Sequence, residues 1–157
     1  MLNIKIVCVG KLKEKYWQDA CAEYMKRLGA YCRPEVIEVP EEKLPANASA
    51  KDEQNVIEAE GKEILKRVSG YVIALDVKGK ELSSEELAGR VSEISLAHSS
   101  VVFIIGGSLG LSEEVKERAD LKMSFGRITL PHQLARVVAL EQIYRAFKIN
   151  AGETYHK

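Results

Sequence analysis

The most informative stretch of the chain reads Val101-Val-Phe-Ile-Ile-Gly-Gly-Ser-Leu-Gly-Leu-Ser112. Its first five residues are apolar, which is typical of a strand buried on both faces of a parallel sheet. Three glycines follow within five residues, so the backbone there can adopt positive φ and lie bare against a ligand. Ser112 can then cap a helix. In open α/β sheets, ligands bind beyond the carboxyl ends of the strands, where we expect this loop.

Strand-then-helix units occur five times around this stretch. The predicted strands are Leu2–Val9, Pro34–Pro40, Tyr71–Val77, Val101–Ile105 and Leu121–Phe125, and the last helix is predicted from about Pro131 to Asn150. We expect Lys78-Gly79-Lys80 to turn the chain after the third strand. Such alternation predicts an α/β fold, a mainly parallel sheet with helices on both faces, in one domain over residues 1–157. Glycine inside a helix costs roughly 1 kcal/mol relative to alanine, so we expect something to pack closely on Gly61.

Composition narrows the class of protein. Hydrophobic residues make up 46% of the chain and charged residues 29%, as in soluble globular proteins. No apolar run approaches the roughly 18 residues of a membrane-spanning helix, and the first residues form a strand pattern rather than a signal peptide. The three cysteines lack metal-ligand spacing, which favours reduced thiols in a cytoplasmic protein. Since the formal net charge is zero, any contact with nucleic acid needs a local basic patch.

The last predicted helix is apolar on more than one stripe. A sheet can cover only one side of such a helix, so we infer a subunit interface on another. Glu141 and Arg145 are four residues apart and can pair, either as a structural ion pair or as part of a site. His132 fits a capping or packing role as well as a chemical one. The tail Gly152–Lys157 is either disordered or functional.

The glycine loop excludes two common nucleotide-binding motifs. It reads Gly-Gly-Ser-Leu-Gly rather than Gly-x-Gly-x-x-Gly, and Arg127 lies where a dinucleotide site would have an acidic residue. It is not a phosphate-binding Walker loop, because no Gly-Lys-Ser/Thr follows. A nicotinamide cofactor is therefore disfavoured, and a simple strand-to-helix turn stays open as an alternative.

Four motifs together resemble the RlmH family of SPOUT-class methyltransferases. They are Gly10-Lys-Leu-Lys-Glu-Lys-Tyr-Trp17, Ile105-Gly-Gly-Ser-Leu-Gly110, Leu130-Pro-His-Gln133 and the segment from Tyr144-Arg-Ala to Tyr155-His-Lys157. The resemblance covers essentially the whole chain. It implies a carboxyl-terminal trefoil knot, a homodimer, and S-adenosylmethionine-dependent methylation of N3 of a pseudouridine in 23S ribosomal RNA. Because the chain is neutral and its basic patch is small, we expect the assembled ribosome to be the substrate, and no metal is needed because the sulfonium is already activated.

The resemblance also implies roles for particular residues. Those of the donor pocket would be Leu75, Gly106, Phe125, Gly126, Arg127, Ile128, Thr129 and Leu130. Those needed for activity would be Glu141, Arg145, Tyr155 and His156. Those facing rRNA phosphates would be Lys11, Lys13, Lys15, Arg136 and Lys157, the last standing where the family often has arginine. The alternative functions are a nucleotide-binding or a ribosome-binding α/β protein without methyltransferase activity.

Overall fold

Five strands alternate with five helices in the computed structural model, which describes residues 1–157. The strands are β1 (Asn3–Val9), β2 (Arg33–Val39), β3 (Tyr71–Glu81), β4 (Ser100–Ile105) and β5 (Leu121–Ser124). The helices are α1 (Lys15–Leu28), α2 (Ala50–Leu65), α3 (Ser84–Ala97), α4 (Glu113–Arg118) and α5 (His132–Asn150). The predicted alternation is confirmed. None of the five helices combines the length and the apolar character that crossing a bilayer requires.

The strands form one sheet in the order β2-β1-β4-β3-β5, and every neighbouring pair is parallel. All carboxyl ends therefore meet at one edge. One apolar cluster joins the sheet to α1, α3 and α5, and a smaller cluster joins the opposite face to α2 and α4. The predicted parallel sheet with helices on both faces is confirmed.

The position of β4 in the middle of the sheet explains why its sequence is continuously apolar. Val101 and Phe103 belong to the larger cluster, whereas Val102 and Ile104 belong to the smaller one. All four side chains are fully buried. Because side chains alternate between the two faces of a strand, a central strand covered on both sides needs an apolar residue at every position.

The end of β3 differs from the prediction. Pairing with β5 does not stop at Val77: residues 76–79 loop out, and Met123 of β5 is the partner of both Leu75 and Lys80. Gly79 rests on the β5 backbone, since an added Cβ would lie 2.7 Å from the carbonyl carbon of Lys122. Residues 76–79 thus form a loop within β3 that is folded closely around the end of β5, by contacts that local periodicity cannot reveal. The trefoil knot stays a prediction.

Gly61 is the point where α2 meets the start of α4, as its position inside a helix led us to expect. An added Cβ there would lie 2.3 Å from the hydroxyl oxygen of Ser112 and 3.4 Å from Cγ2 of Val115. Glycine therefore allows α2 to approach the loop that precedes α4. The close approach supports the glycine loop from behind.

Candidate functional site

A cavity of about 640 Å³ opens at the carboxyl edge of the sheet, within the size range of small-molecule sites. Its walls come from residues 75–78 at the loop within β3, from the segments that follow β4 and β5, and from the first turn of α5. Seven of the eight predicted pocket residues line it: Leu75, Gly106, Phe125, Gly126, Ile128, Thr129 and Leu130. Arg127 does not line it and is exposed to solvent. The structure thus brings three separate loops to one cavity.

The glycine loop after β4 presents bare backbone to this cavity. The amide of Gly110, whose φ is +89°, donates to the Gly107 carbonyl at 3.1 Å and closes the turn. An added Cβ at Gly106 would lie 2.8 Å from Cδ2 of Leu111 and 3.1 Å from the Gly110 carbonyl carbon. Ser112 ends the loop, because its Oγ accepts a hydrogen bond from the Val115 amide at 3.2 Å and caps α4.

Ser124 links the other two loops and was missed by the sequence reasoning. The buried hydroxyl donates to the Val77 carbonyl at 3.1 Å and accepts from the Gly126 amide at 3.0 Å. Gly126 itself has a φ of +105°, a conformation that favours glycine. One serine therefore sets the path of the chain from β5 into α5 against the loop within β3.

Charged side chains in the pocket wall were also missed. Asp76 is the one acidic residue among those that line the cavity, and it is accompanied by Lys78 and Lys116. His132 lines the cavity too, at the first turn of α5. Their positions in the sequence could have identified them. Asp76 directly follows the predicted pocket residue Leu75, and His132 belongs to the motif Leu130-Pro-His-Gln133.

The four residues predicted to be needed for activity form a connected cluster on the second half of α5. Arg145 Nε donates to Glu141 Oε1 at 2.7 Å, and the hydroxyl of Tyr155 donates to Glu141 Oε2 at 2.8 Å. Arg145 Nη1 lies 3.1 Å from His156 Nδ1, and the guanidinium stacks over the Tyr155 ring at 4.6 Å. We call this set the tail cluster: Glu141, Arg145, Tyr155 and His156.

Proton positions in the tail cluster follow from its partners. A guanidinium can only donate, so His156 Nδ1 must accept from Arg145 and the ring proton resides on Nε2. That nitrogen lies 2.5 Å from Glu85 Oε1 on α3. Burial, reinforced by the Glu141 carboxylate, raises the pKa of Tyr155 to about 12. The hydrogen bond to Glu141 raises the pKa of Arg145. The cluster therefore presents a permanent cation beside a protonated phenol.

Other contacts hold the tail on its own chain. Glu153 accepts from the hydroxyl of Tyr31 at 2.8 Å and pairs with Lys148. Tyr155 packs its ring edge-on against Tyr144, with centroids 5.1 Å apart. The tail is thus held against α5 and the turn that follows α1, and its part in activity stays a prediction.

The tail cluster and the cavity are separate within one chain. None of the four cluster residues lines the cavity. Ala135 is the last residue of α5 that lines it, and Glu141 and Arg145 lie six and ten residues further along the same helix. At 1.5 Å per residue these separations are about 9 and 15 Å along the axis. A single chain therefore does not bring the two groups of predicted site residues together.

Arg136 corrects one sequence-based expectation. It was expected to face rRNA phosphates, but its side chain is only 3% exposed. Nη1 donates to Glu38 Oε2 at 2.7 Å and Nη2 to the Gly10 carbonyl at 3.2 Å, so the residue ties α5 to the ends of β1 and β2. Its expected role is wrong. The other predicted basic residues are exposed: Lys11, Lys13, Lys15 and Lys157.

Comparison with known proteins identifies the class. Residues 2–156 match a family model described as "Predicted SPOUT methyltransferase". A probable methylase family protein from Haemophilus influenzae has a similar structure, with a TM-score of 0.59 and 14% identity over 99% of this chain and 71% of that one. The tRNA (m1G37) methyltransferase from Aquifex aeolicus has a TM-score of 0.52 and 14% identity over 92% and 69%. The chain belongs to the SPOUT methyltransferase family, and these two likenesses show its fold.

Relatives that are similar in sequence indicate one particular family within this class. The chain is 57% identical to the Ribosomal RNA large subunit methyltransferase H of Carboxydothermus hydrogenoformans, over 99% of this chain and 100% of the relative. It is 56% identical to the protein of that name from Clostridium novyi, with the same coverage. The expected membership of the RlmH family is confirmed, and the chain is a methyltransferase of that family.

Proposed function

We propose that this chain transfers a methyl group from S-adenosylmethionine to N3 of a pseudouridine in 23S ribosomal RNA, on the assembled ribosome. One observation carries the proposal. The three loops that were predicted to line the donor pocket meet around one cavity, and the wall of this cavity at Gly106 admits no side chain. The relatives named Ribosomal RNA large subunit methyltransferase H support the choice of substrate. The reaction occurs in the cytoplasm, where the ribosome is found.

The cavity suits the methyl donor in size and in chemistry. Its volume of about 640 Å³ is ample for an adenosine with a short amino-acid extension. Backbone groups of Leu75, Gly106, residues 125–126 and residues 128–130 would hold the donor, because bare backbone supplies fixed hydrogen-bond donors and acceptors close to a ligand. When bound, the donor supplies a methyl group already activated by the sulfonium, so no metal is required. Holding the reacting atoms in line then supplies most of the rate.

The tail cluster would act on the RNA base. N3 of a pseudouridine carries a weakly acidic imide proton, which would pass to solvent water before N3 is methylated. Arg145 would stabilise the negative charge left on the base, as a preorganised cation does at any developing anion. Tyr155 stays protonated because its pKa is raised to about 12, and it donates its one proton to Glu141, so we assign Tyr155 to holding Glu141 and Arg145 in place. The lone pair of His156 Nδ1 is already engaged by Arg145, so we assign His156 to orientation rather than to proton removal.

A homodimer would unite the cavity with the tail cluster. Leu134, Val138, Glu141 and Arg145 follow one another at helical spacing on a single face of α5. Leu134 and Val138 belong to neither apolar cluster and are half-buried in the isolated chain. This stripe begins beside the cavity and ends about 16 Å away at the tail cluster. Two copies packed antiparallel along it would bring each cluster to the partner's cavity.

Contact with RNA would be local. The exposed lysines at positions 11, 13, 15 and 157 are available to phosphates, although Lys15 also pairs with Asp19 at 3.2 Å. With a formal net charge of zero, the chain has no general attraction to nucleic acid. We therefore expect weak binding to isolated RNA and efficient methylation only when the ribosome adds further contacts.

A labelling assay tests the proposed function. Purified protein is incubated with methyl-labelled S-adenosylmethionine and either ribosomes lacking the modification or protein-free 23S RNA. We expect label in the RNA of the ribosomes, mapped to N3 of one pseudouridine, and little in the free RNA. Label on another base or another atom would contradict the assignment. Binding to ribosomes without any label would instead indicate a ribosome-binding factor, and thermal stabilisation by NAD(P) alone a nucleotide enzyme.

Mixing two inactive variants tests the shared site. Gly106→Val adds a side chain where the cavity wall admits none, and Arg145→Ala removes the cation of the cluster. If each site joins one chain's cavity to the partner's cluster, mixed dimers regain one complete site, so an equal mixture recovers about a quarter of wild-type activity. A mixture with no activity, from chains shown to exchange subunits, would place both groups of residues on the same chain. A monomer in solution would contradict the dimer itself.

A further inference from the structure

Asp76 and Lys116 place opposite charges side by side in the cavity wall. Asp76 follows Leu75 at the end of β3 and its side chain is 11% exposed. Lys116 projects from α4, and its Nζ lies 4.0 Å from Asp76 Oδ2. Both residues line the cavity. The two charges therefore come from different elements, β3 and α4, and lie next to each other at the cavity.

The pair has hydrogen-bonding capacity that the chain itself does not use. Asp76 Oδ1 accepts from the Lys78 amide at 3.1 Å, which shapes the loop within β3. Asp76 Oδ2 makes no hydrogen bond within the chain, and neither does Lys116 Nζ, whose other acidic neighbour, Glu113, lies 3.6 Å away. At 4.0 Å the two groups are too far apart to bond directly to each other. One anionic acceptor and one cationic donor thus remain available to a ligand.

We propose that Asp76 and Lys116 bind the α-amino-acid end of the methyl donor. Asp76 would accept from the α-ammonium and Lys116 would donate to the α-carboxylate, two charge-assisted hydrogen bonds of the strong kind. The proposal rests on the proposed function, in which the cavity holds S-adenosylmethionine. A zwitterion matches an anion and a cation placed together. A sulfonium alone would attract the carboxylate of Asp76 and be repelled by the ammonium of Lys116.

Under this proposal the two ends of the donor are recognised by different means. The adenosine end is uncharged and contacts the bare backbone of the three loops. The amino-acid end is charged and meets the Asp76–Lys116 pair. The pair would therefore act as a specificity determinant for ligands that carry an α-amino acid, and would not touch the methyl group that is transferred.

Isothermal titration calorimetry with three ligands tests the pair without measuring catalysis. S-adenosylmethionine carries both the amino acid and the sulfonium, S-adenosylhomocysteine carries the amino acid without the sulfonium, and 5′-methylthioadenosine carries neither. Asp76→Asn removes the carboxylate charge while its remaining oxygen can still accept from the Lys78 amide. Lys116→Met removes the cation. Glu113→Gln is the matched control, because it changes a neighbour of Lys116 that does not line the cavity.

We expect Asp76→Asn and Lys116→Met each to weaken S-adenosylmethionine and S-adenosylhomocysteine by about tenfold to a hundredfold, the usual effect of losing a charged hydrogen bond. Binding of 5′-methylthioadenosine should not change, and Glu113→Gln should bind all three ligands as the wild type does. An unchanged affinity for 5′-methylthioadenosine also shows that the variant cavity is folded.

Three results would overturn the inference while leaving the proposed function intact. Unchanged binding of all three ligands would make the pair a purely structural contact. Weakening of S-adenosylmethionine alone would assign Asp76 to the sulfonium. Equal weakening of all three would assign it to the shape of the loop. Wild-type protein that binds none of the three would overturn the proposed function and this inference together.

Discussion

Gly61→Ala measures how closely α2 packs on α4 behind the cavity. The new Cβ would lie 2.3 Å from Ser112 Oγ and 3.0 Å from Ser112 Cβ, both far inside normal contact distance. The hydroxyl cannot simply rotate away, because it accepts the Val115 amide hydrogen bond that caps α4. Accommodation therefore requires either loss of the cap or displacement of α4 and of the glycine loop that precedes it.

The expected loss of stability is obtained by comparison with a matched variant, Gly89→Ala. Alanine replacing glycine inside a helix gains about 1 kcal/mol in propensity at either position. At Gly89, which is exposed within α3, an added Cβ meets nothing within 4 Å, so Gly89→Ala should gain this amount. At Gly61 the same gain is opposed by overpacking, which typically costs about 1–3 kcal/mol. The propensity gain cancels in the comparison, so Gly61→Ala should be less stable than Gly89→Ala by about 1–3 kcal/mol.

Urea unfolding followed by circular dichroism provides the assay, with the free energy of unfolding extrapolated to water for both variants. Thermal unfolding should agree, with midpoints separated by about 2–4 °C for each kcal/mol in a chain of this size. Equal m-values are needed for the comparison to hold. If Gly61→Ala proves as stable as Gly89→Ala, the reasoning from close packing at Ser112 is refuted.

Three further predictions concern the cavity and the core. Gly106→Val should abolish binding of S-adenosylmethionine in calorimetry while circular dichroism shows a folded chain, and retained binding would contradict the pocket. Arg136→Met should lower the free energy of unfolding by about 1–3 kcal/mol in urea, because it leaves the Glu38 carboxylate without its buried partner; an unchanged midpoint would show that the contact is dispensable. Burial raises the pKa of Cys8 and of Cys32 from 9.0 to about 12, so the folded state holds these thiol protons more tightly and stability should decline as pH rises from 9 toward 12. Stability measured by urea unfolding at successive pH values checks this, and a flat profile above pH 9 would contradict it.

The fold class was predictable because its signals are local. An uninterrupted apolar run such as that of β4 indicates a strand covered on both faces, and alternation with helices then requires parallel pairing. The cap at Ser112 and the close approach at Gly61 were also predictable, since both depend on residue types within one element. The donor-pocket residues were identified through family resemblance, and seven of the eight line the cavity.

Three features were not predictable, because each depends on a partner far away in sequence. β3 continues to Glu81 only because its end returns to β5, whose residues follow more than forty positions later. Arg136 appeared to be a surface cation but is buried by pairing with Glu38, which lies 98 positions earlier. Asp76 gained a candidate role only when α4 placed Lys116 beside it.

The amino-acid sequence by itself determined the alternation of strands and helices and the presence of bare backbone after β4, because periodicity and glycine content act over a few residues. The tertiary structure alone decided which side chains meet. It gathered three loops into one cavity and fastened the tail to Glu141 of its own α5, which with Arg145 lies about 9–15 Å along the helix from that cavity. The physical reason is that a hydrogen bond or an ion pair depends on distance in space, and separation along the chain does not specify that distance.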